Sequence, residues 1–194
     1  MELLRKGNRR KQHILDIASS LIRRRGFEAL SVSDIAREAG ISVGGLYRHF
    51  STKTDLLVLA CENINAESQA AIEVAIASGT TVTAKLEGAI REYWAYCHAH
   101  ADLIHLTYVE FRSLPAEAQK RFRDRESAIA DLLRDVIRAG MLVGEFRPVD
   151  DRVMATEIIF LSHMTAFKRW ALRPADPAVV SEEHVQLFLS RLRK

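Results

Sequence analysis

The sequence predicts an all-α protein in which a small three-helix head precedes a larger helical body. Three observations carry this expectation. Apolar residues recur at three- and four-residue spacing along most of the chain, and no segment sustains the two-residue alternation of a half-buried strand. The 194 residues are 48% hydrophobic and 27% charged, with only 4 prolines and 9 glycines. That is enough apolar content for a sizeable core and too little punctuation for a disordered or loop-built chain. Near the N-terminus, only Gly40, Ile41 and Ser42 separate two short helical segments. A turn that short forces the helices to cross steeply.

The first helix is expected over residues 9–25, where Ile14, Ile17, Ala18, Leu21 and Ile22 make one apolar face. Arg23, Arg24 and Arg25 load its C-terminal end, where cations suit the helix dipole, and Gly26 can end it with Phe27 packing back. Ser31 caps the second helix, with Asp34 at the capping-box position; Val32, Ile35, Ala36 and Ala39 point inward and Gly40 closes it. Ser42 caps the third helix, residues 43–49, which has only Leu46 and Phe50 as clear inward residues. Val43, Gly44, Gly45, Tyr47, Arg48 and His49 are left facing out.

That outward face suits no structural helix. Each of two consecutive glycines costs a helix about 1 kcal/mol against alanine. Tyr47, Arg48 and His49 expose a surface rich in hydrogen-bonding groups. Local rules broken without a packing gain mark functional sites. Small residues let a helix backbone approach a groove, an arginine reads guanine, and tyrosine, histidine and a capping serine grip phosphates. Thr52 then caps the fourth helix with Asp55 three residues on. Lys53 stands in its first turn, where a cation is unfavourable unless a phosphate lies near.

The rest is expected as helix after helix. The fourth runs to about residue 77 through Leu56, Ala60, Ile64, Ala71 and Val74. The fifth carries Val82, Leu86, Ile90, Tyr93, Trp94 and Cys97, and the sixth, 101–113, carries Leu103, Ile104, Thr107, Tyr108 and Phe111 before Pro115. The seventh, 116–139, shows Phe122, Ile129, Leu132, Leu133, Val136 and Ile137 and is expected to stop at Gly140. The loop GEFRPVD leads to the eighth, 151–172, and the ninth begins near Ser181 and runs through Val185, Phe188, Leu189 and Leu192, about nine helices in all. The eighth has two apolar lines, Met154, Ile158, Leu161 and Thr165 on one side and Val153, Phe160, Met164 and Phe167 on the other. A helix apolar nearly all round is buried on both sides, as a central core helix or at a subunit interface.

Charge is divided unevenly. Residues 1–60 hold 11 Lys and Arg against 6 Asp and Glu, and residues 61–194 hold 17 against 19. A basic head on a slightly acidic body is the asymmetry of a nucleic-acid reader, and a solvated basic face gives the same count. Cys61 and Cys97 have no CxxC spacing and read as free thiols in a reducing cytoplasm. The N-terminus carries no apolar run of signal-peptide length and no stretch reaches transmembrane length, so a cytoplasmic location is expected.

From Ser31 to Lys53 the chain resembles the TetR family of bacterial transcriptional repressors. The matching residues are Ile35-Ala36, Ala39-Gly40-Ile41-Ser42, Leu46-Tyr47-Arg48-His49-Phe50, and Lys53 with Leu56-Leu57. Ser31 departs from the threonine more usual there but keeps the cap. The resemblance implies a helix-turn-helix DNA-binding domain, residues 1–52, and a ligand-binding and dimerisation domain, residues 53–194. It implies a homodimer paired through the eighth and ninth helices, a near-palindromic double-stranded DNA operator, and a small-molecule effector enclosed by helices four to seven. It assigns DNA contacts to Ser33, Ser42, Val43, Gly44, Gly45, Tyr47, Arg48, His49 and Lys53. No cofactor, metal, membrane partner or catalytic residue is expected.

The effector is less legible. Tyr93, Trp94, His105, Tyr108, Phe111, His163, Phe167 and Trp170 are the aromatic and polar residues available to a mostly apolar pocket, and each serves equally as plain core. The C-terminal half, with GEFRPVD and Arg169-Trp170, is similar to relatives that respond to fatty acids or acyl-CoA thioesters. A cationic effector would want Glu92, Glu110 or Glu157 buried beside it, and aromatic metabolites stay open. Three other readings compete. GISVG, residues 40–44, matches the G-x-S-x-G of a hydrolase with Ser42 as nucleophile, but that elbow needs a preceding strand and a helix precedes it here. Cys97, His98, His100, Asp102 and His105 cluster in sequence, and a metal would need three or four of them to converge. An all-helical interaction module without DNA binding leaves Gly44, Gly45 and Tyr47 to His49 without a role. If Lys53 serves phosphate rather than base, Lys53→Ala weakens binding to operator and random DNA alike and lowers the salt slope by about 1. A loss confined to operator, measured by anisotropy across a salt series, would contradict that.

Overall fold

The computed structural model describes the backbone of residues 2–26, 29–50 and 52–193, with side chains apart from those of 2–9, 23, 53, 54, 56, 57 and 59–66. The expectations for Phe27, Leu56, Leu57, Ala60, Cys61 and Ile64, and for the side chains of Arg23 and Lys53, lie outside the described residues. Among the described residues there are ten α-helices, one 3-10 turn and no strand beyond an isolated bridge between Phe146 and Arg193. No helix among them is long and apolar enough to cross a membrane.

The helices are α1 (Glu2–Arg25), α2 (Val32–Glu38), α3 (Val43–Tyr47), α4 (Lys53–Ser78), α5 (Val82–Ala99), α6 (Ala101–Glu110), α7 (Ala116–Leu142), α8 (Asp151–Ser162), α9 (Met164–Leu172) and α10 (Pro177–Leu192). The 3-10 turn, Phe111–Ser113, finishes what the sequence presents as one sixth helix. The chain divides into two compact units, Met1–Ile64 with Asp102–Lys120, and Asn65–Ala101 with Arg121–Lys194.

In the first unit α1, α2 and α3 close over one core. Ile14, Leu15, Ala18, Leu21 and Ile22 of α1 meet Leu30, Ile35, Ala36, Leu46 and Phe50, all buried. Ile17, expected inside, is half-buried, and Leu15 takes its share because it lies seven residues before Ile22 on the same helical face. A second cluster of this unit joins Val58, Leu114 and Ala118, with Phe111 packed against it.

The second unit is built around α5, which packs on α8, α9 and α10. Its buried stripe is Leu86, Ala89, Ile90, Tyr93, Trp94 and Cys97. Arg91 on the flank of this stripe is held between Glu87, at 2.8 Å, and Glu182 of α10. Arg134 and Arg138 of α7 converge on Asp151 of α8 at 2.8 and 2.9 Å, and hydrogen bonding from Arg134 holds that carboxyl below its ordinary range.

Three expectations need correction. The single eighth helix is two, broken at His163. Ser162 donates its hydroxyl to the Ile158 carbonyl at 2.8 Å and meets His184 Nε2 at 3.1 Å, while the His163 ring turns to Tyr93. A serine bonded to the preceding turn bends a helix, and apolar periodicity carries no trace of that. The last helix starts at Pro177, not near Ser181, because Asp176 caps it by accepting from Ala178 N at 2.8 Å and proline suits the first helical turn. Lastly, Gly140 does not stop α7, which runs on to Leu142.

The glycine at 140 is required for space. A Cβ there would fall 2.1 Å from the Phe146 ring, which folds back from the loop and is fully buried. Phe146 N donates to the Gly140 carbonyl at 3.0 Å, and Arg147 N to the Leu192 carbonyl of α10 at 2.7 Å. In a helix interior Gly→Ala ordinarily gains about 1 kcal/mol, whereas overpacking a tight core costs about 1–3 kcal/mol. Gly140→Ala therefore lowers stability, and Gly140→Ala with Phe146→Leu regains part of the loss. Urea unfolding of the three proteins checks the sign; a single variant as stable as the parent would refute the packing argument.

Candidate nucleic-acid interface

The head presents α3 through a turn fixed by local hydrogen bonds at both helix ends. Ser31 caps α2: its hydroxyl accepts from Asp34 N at 3.0 Å, and the Asp34 carboxylate accepts from Ser31 N at 3.2 Å and from the Ser31 hydroxyl at 2.6 Å. These bonds, with Arg37 beside it, hold the Asp34 carboxyl below its ordinary range. At the other end of α2, Gly40 adopts φ +62°, a left-handed conformation that a side chain disfavours. Gly40 N then donates to the Arg37 carbonyl at 3.2 Å and Ile41 N to the Ala36 carbonyl at 3.0 Å, the paired bonds of a Schellman ending. Ser42 starts α3 at once, its hydroxyl accepting from Gly45 N at 3.0 Å.

Leu46 and Phe50 are buried and pin α3 to the core. Ser42, Val43, Gly44, Tyr47 and Arg48 are exposed, with Tyr47 51% accessible. His49 is half-buried with its ring tilted against Phe50, and Ser33 is exposed in the first turn of α2. The two glycines differ in their surroundings. A Cβ on Gly44 would meet nothing within 4 Å, whereas one on Gly45 would stand 3.1 Å from the Ser42 hydroxyl. Gly44 thus thins the outer face, and Gly45 spares the cap. Eight of the nine residues assigned to DNA are grouped on the α2–α3 segment; of Lys53 only its place at the start of α4 is described. That start is a second reciprocal cap, Thr52 N to the Asp55 carboxylate at 2.9 Å and Asp55 N to the Thr52 hydroxyl at 3.0 Å.

The arginines of the head divide by role. Arg24 pairs with Glu38 at 3.2 Å and Arg25 with Asp34 at 3.8 Å, tying the end of α1 to α2. Arg48 makes no ion pair among the described residues and stays available on the exposed face. Arg24 and Arg25 read from sequence as dipole partners; their acidic partners lie 14 and 9 positions away, which helical spacing does not reveal. The Ser42 hydroxyl is taken up as a helix cap after a helix and a turn, so the strand-to-helix elbow of a hydrolase is not formed.

The residues offered for an effector separate. Tyr93, Trp94 and His163 are buried together in the second unit, with Tyr93 Oη and His163 Nε2 2.8 Å apart. Burial lowers the His163 pKa to about 4, so the ring is neutral at physiological pH. Phe167 and Trp170 are exposed on α9, where Lys168 Nζ lies 5.9 Å from the Trp170 ring. In the first unit His105 and Tyr108 are exposed and Phe111 packs on Val58, Leu114 and Ala118. Of the carboxylates considered for a cation, Glu92 and Glu157 are exposed and Glu110 accepts from the Ser113 hydroxyl at 2.9 Å. Among the described residues no three His, Cys, Asp or Glu side chains converge as metal ligands, and Cys97 is a buried free thiol.

A short helix held from behind by Leu46 and Phe50, capped at both approaches and outwardly thin, defines a helix-turn-helix DNA-binding protein carrying a larger helical body. Residues 14–60 match the family model of bacterial regulatory proteins of the tetR family, and residues 79–192 match a tetracyclin repressor-like C-terminal domain. The HTH-type transcriptional regulator HbdR of Aromatoleum sp. (strain CIB) is 30% identical over 165 residues, 84% of this chain and 71% of that protein. Two solved structures share the fold. FadR of Bacillus subtilis in complex with stearoyl-CoA has a TM-score of 0.77 at 22% identity, over 93% of this chain and 98% of that one. AibR in complex with isovaleryl coenzyme A and operator DNA has a TM-score of 0.73 at 21% identity, over 92% and 97%. The chain belongs to the TetR family and is a ligand-responsive DNA-binding transcriptional regulator.

Tyr47 has the largest side chain on the outer face of α3 and lends nothing to the core, so Tyr47→Ala lowers operator affinity by at least about tenfold with helicity unchanged. A gel shift equal to that of the parent would remove Tyr47 from the interface.

Proposed function

We propose that the chain is a repressor that binds a near-palindromic operator as a homodimer and leaves it when an acyl thioester or a similar, mostly apolar effector binds. The observation that carries the DNA half is the exposed face of α3, assembled from Ser42, Val43, Gly44, Tyr47 and Arg48 around a buried Leu46. In this reading Ser33, Ser42, Val43, Gly44, Gly45, Tyr47, Arg48, His49 and Lys53 meet DNA, residues 1–52 form the DNA-binding domain, and residues 53–194 bind effector and partner. Two copies of α3 then enter successive major grooves about 34–36 Å apart.

The dimer half rests on α8 and α10. One line of α8, Met154 and Ile158, is buried, while the other, Val153 and Phe160, is exposed, Phe160 at 58%. Leu187 of α10 is exposed as well, and Val153, Phe160, Leu161 and Leu187 line one open groove edged by Arg152, Glu157 and Arg191. An apolar stripe with a charged rim, on two helices at once, is the composition of a self-complementary interface. The acyl thioester is supported by the two fold neighbours solved with stearoyl-CoA and isovaleryl coenzyme A. Coupling is reciprocal: an effector that weakens DNA binding is itself bound less tightly by the DNA complex. The helix α4 starts in one unit and ends in the other, which makes it the candidate carrier of that coupling.

Phe160→Glu places a charge in the proposed interface. It turns the dimer into monomer by light scattering, and affinity for an operator recovered by in vitro selection falls at least about tenfold because two half-sites no longer bind together. A variant still dimeric, with full operator affinity, would rule out the α8–α10 pairing. Stearoyl-CoA or isovaleryl-CoA added to the parent complex releases the operator; retention at saturating concentrations of both would rule out the thioester.

A further inference from the structure

The most informative atom outside the DNA head is the indole nitrogen of Trp94. Its side chain is 4% exposed, and Trp94 Nε1 is the buried side-chain polar atom without a hydrogen-bond partner among the described residues. A buried donor left unpaired costs a protein about 1–3 kcal/mol. Buried polar groups without a partner are few in folded proteins, and each calls for a specific reason.

The surroundings of Trp94 are otherwise paired. Tyr93, the preceding residue, bonds His163 at the break between α8 and α9. One turn later His98 stacks on the Trp94 ring, centroids 4.9 Å apart at 18°, and its Nδ1 lies 3.4 Å from Thr165 Oγ1 of α9. Two contacts from α5 to the α8–α9 break thus flank an unused donor.

An indole N–H donates and never accepts, so what it lacks is an acceptor. The charge state of the cluster limits which kind. His163 is neutral, burial holds the Cys97 thiol protonated, and the Glu126 carboxylate reinforces the shift at Cys97. His163 therefore brings no positive charge to offset a carboxylate. A buried carboxylate without a cation is far costlier than a neutral oxygen.

We propose that Trp94 Nε1 reads a neutral carbonyl oxygen of the effector, between the Tyr93–His163 and His98–Thr165 contacts. The proposal rests on the effector reading above and narrows it. It selects an acyl thioester over the free fatty acid and makes Trp94 a specificity-determining residue.

The chain has two tryptophans, Trp94 buried and Trp170 76% exposed, so its indole ¹⁵N–¹H spectrum holds an internal reference. Stearoyl-CoA is compared with S-octadecyl-CoA, a thioether with the same chain and nucleotide but no carbonyl, and with stearate. Four results are expected. The Trp94 indole proton moves downfield with stearoyl-CoA while Trp170 stays. The parent binds the thioester about tenfold more tightly than the thioether, the scale of one good hydrogen bond. Trp94→Phe binds the two equally, and stearate binds the parent more weakly than the thioester. Should the variant fold poorly, the parent's spectrum and thioester-to-thioether ratio decide alone. Equal affinity for thioester and thioether, or an unmoved Trp94 signal at saturation, overturns the proposal. Operator release measured in parallel separates the two readings. Release with an unmoved indole removes only the role of Trp94, and a moved indole without release removes only the effector's action on DNA. Neither release nor movement removes both.

Discussion

Two helices joined by four residues, Ala39 to Ser42, leave eight backbone groups at the facing ends and almost no chain to satisfy them. In this protein several of them are satisfied within the turn itself. The Schellman bonds of Gly40 and Ile41 take up carbonyls of α2, and Ser42 takes up the Gly45 amide of α3. With Ser31 and Asp34 fixing the other end of α2, the crossing of α2 and α3 is set by hydrogen bonds before any core residue is counted. Leu46 and Phe50 then need only seat a helix whose direction is already given. This is why a five-residue helix, far too short to be stable alone, holds a steady outer face.

The same helix–helix economy governs the body, where α8 serves two surfaces. Met154 and Ile158 complete the core around α5, and Val153 and Phe160 stand a third of a turn away in the open. A helix that satisfied only the core would carry polar residues there. That it does not is the physical content of the proposed pairing with a second copy. The break at His163 separates this two-sided segment from α9, whose outer side mixes Trp170 with Lys168 and Arg169.

Much of the head was legible in the sequence because its determinants are short-range. The Ser31–Asp34 and Thr52–Asp55 boxes, the glycine ending at 40 and the inward pair Leu46 and Phe50 all follow from spacings of four residues or fewer. What escaped depends on partners distant in sequence. At the break after α8, Ser162 bonds back to Ile158 locally, but His163 and Ser162 also meet Tyr93 and His184, 70 and 22 positions away. Gly140 reads as a helix end unless Phe146 is known to fold back on it. The start of α10 at Asp176-Pro177 is a local signal, outweighed in the sequence by the apolar run that begins later. The effector residues are the least legible, since an aromatic side chain at helical spacing is equally good core, and only the unpaired Trp94 nitrogen separates one of them from the rest.

The fit of Phe146 over Gly140 also bears on how this chain can diverge. The ring occupies the volume that any side chain at 140 would claim. Neither position is therefore free to vary alone: a larger residue at 140 is tolerated only alongside a smaller one at 146, and a shrunken 146 relaxes the demand for glycine. Among related proteins the two positions should drift as a linked pair. A lineage that lost the pairing would also loosen the neighbouring bond from Arg147 to Leu192, and with it the end of the helix that carries Leu187.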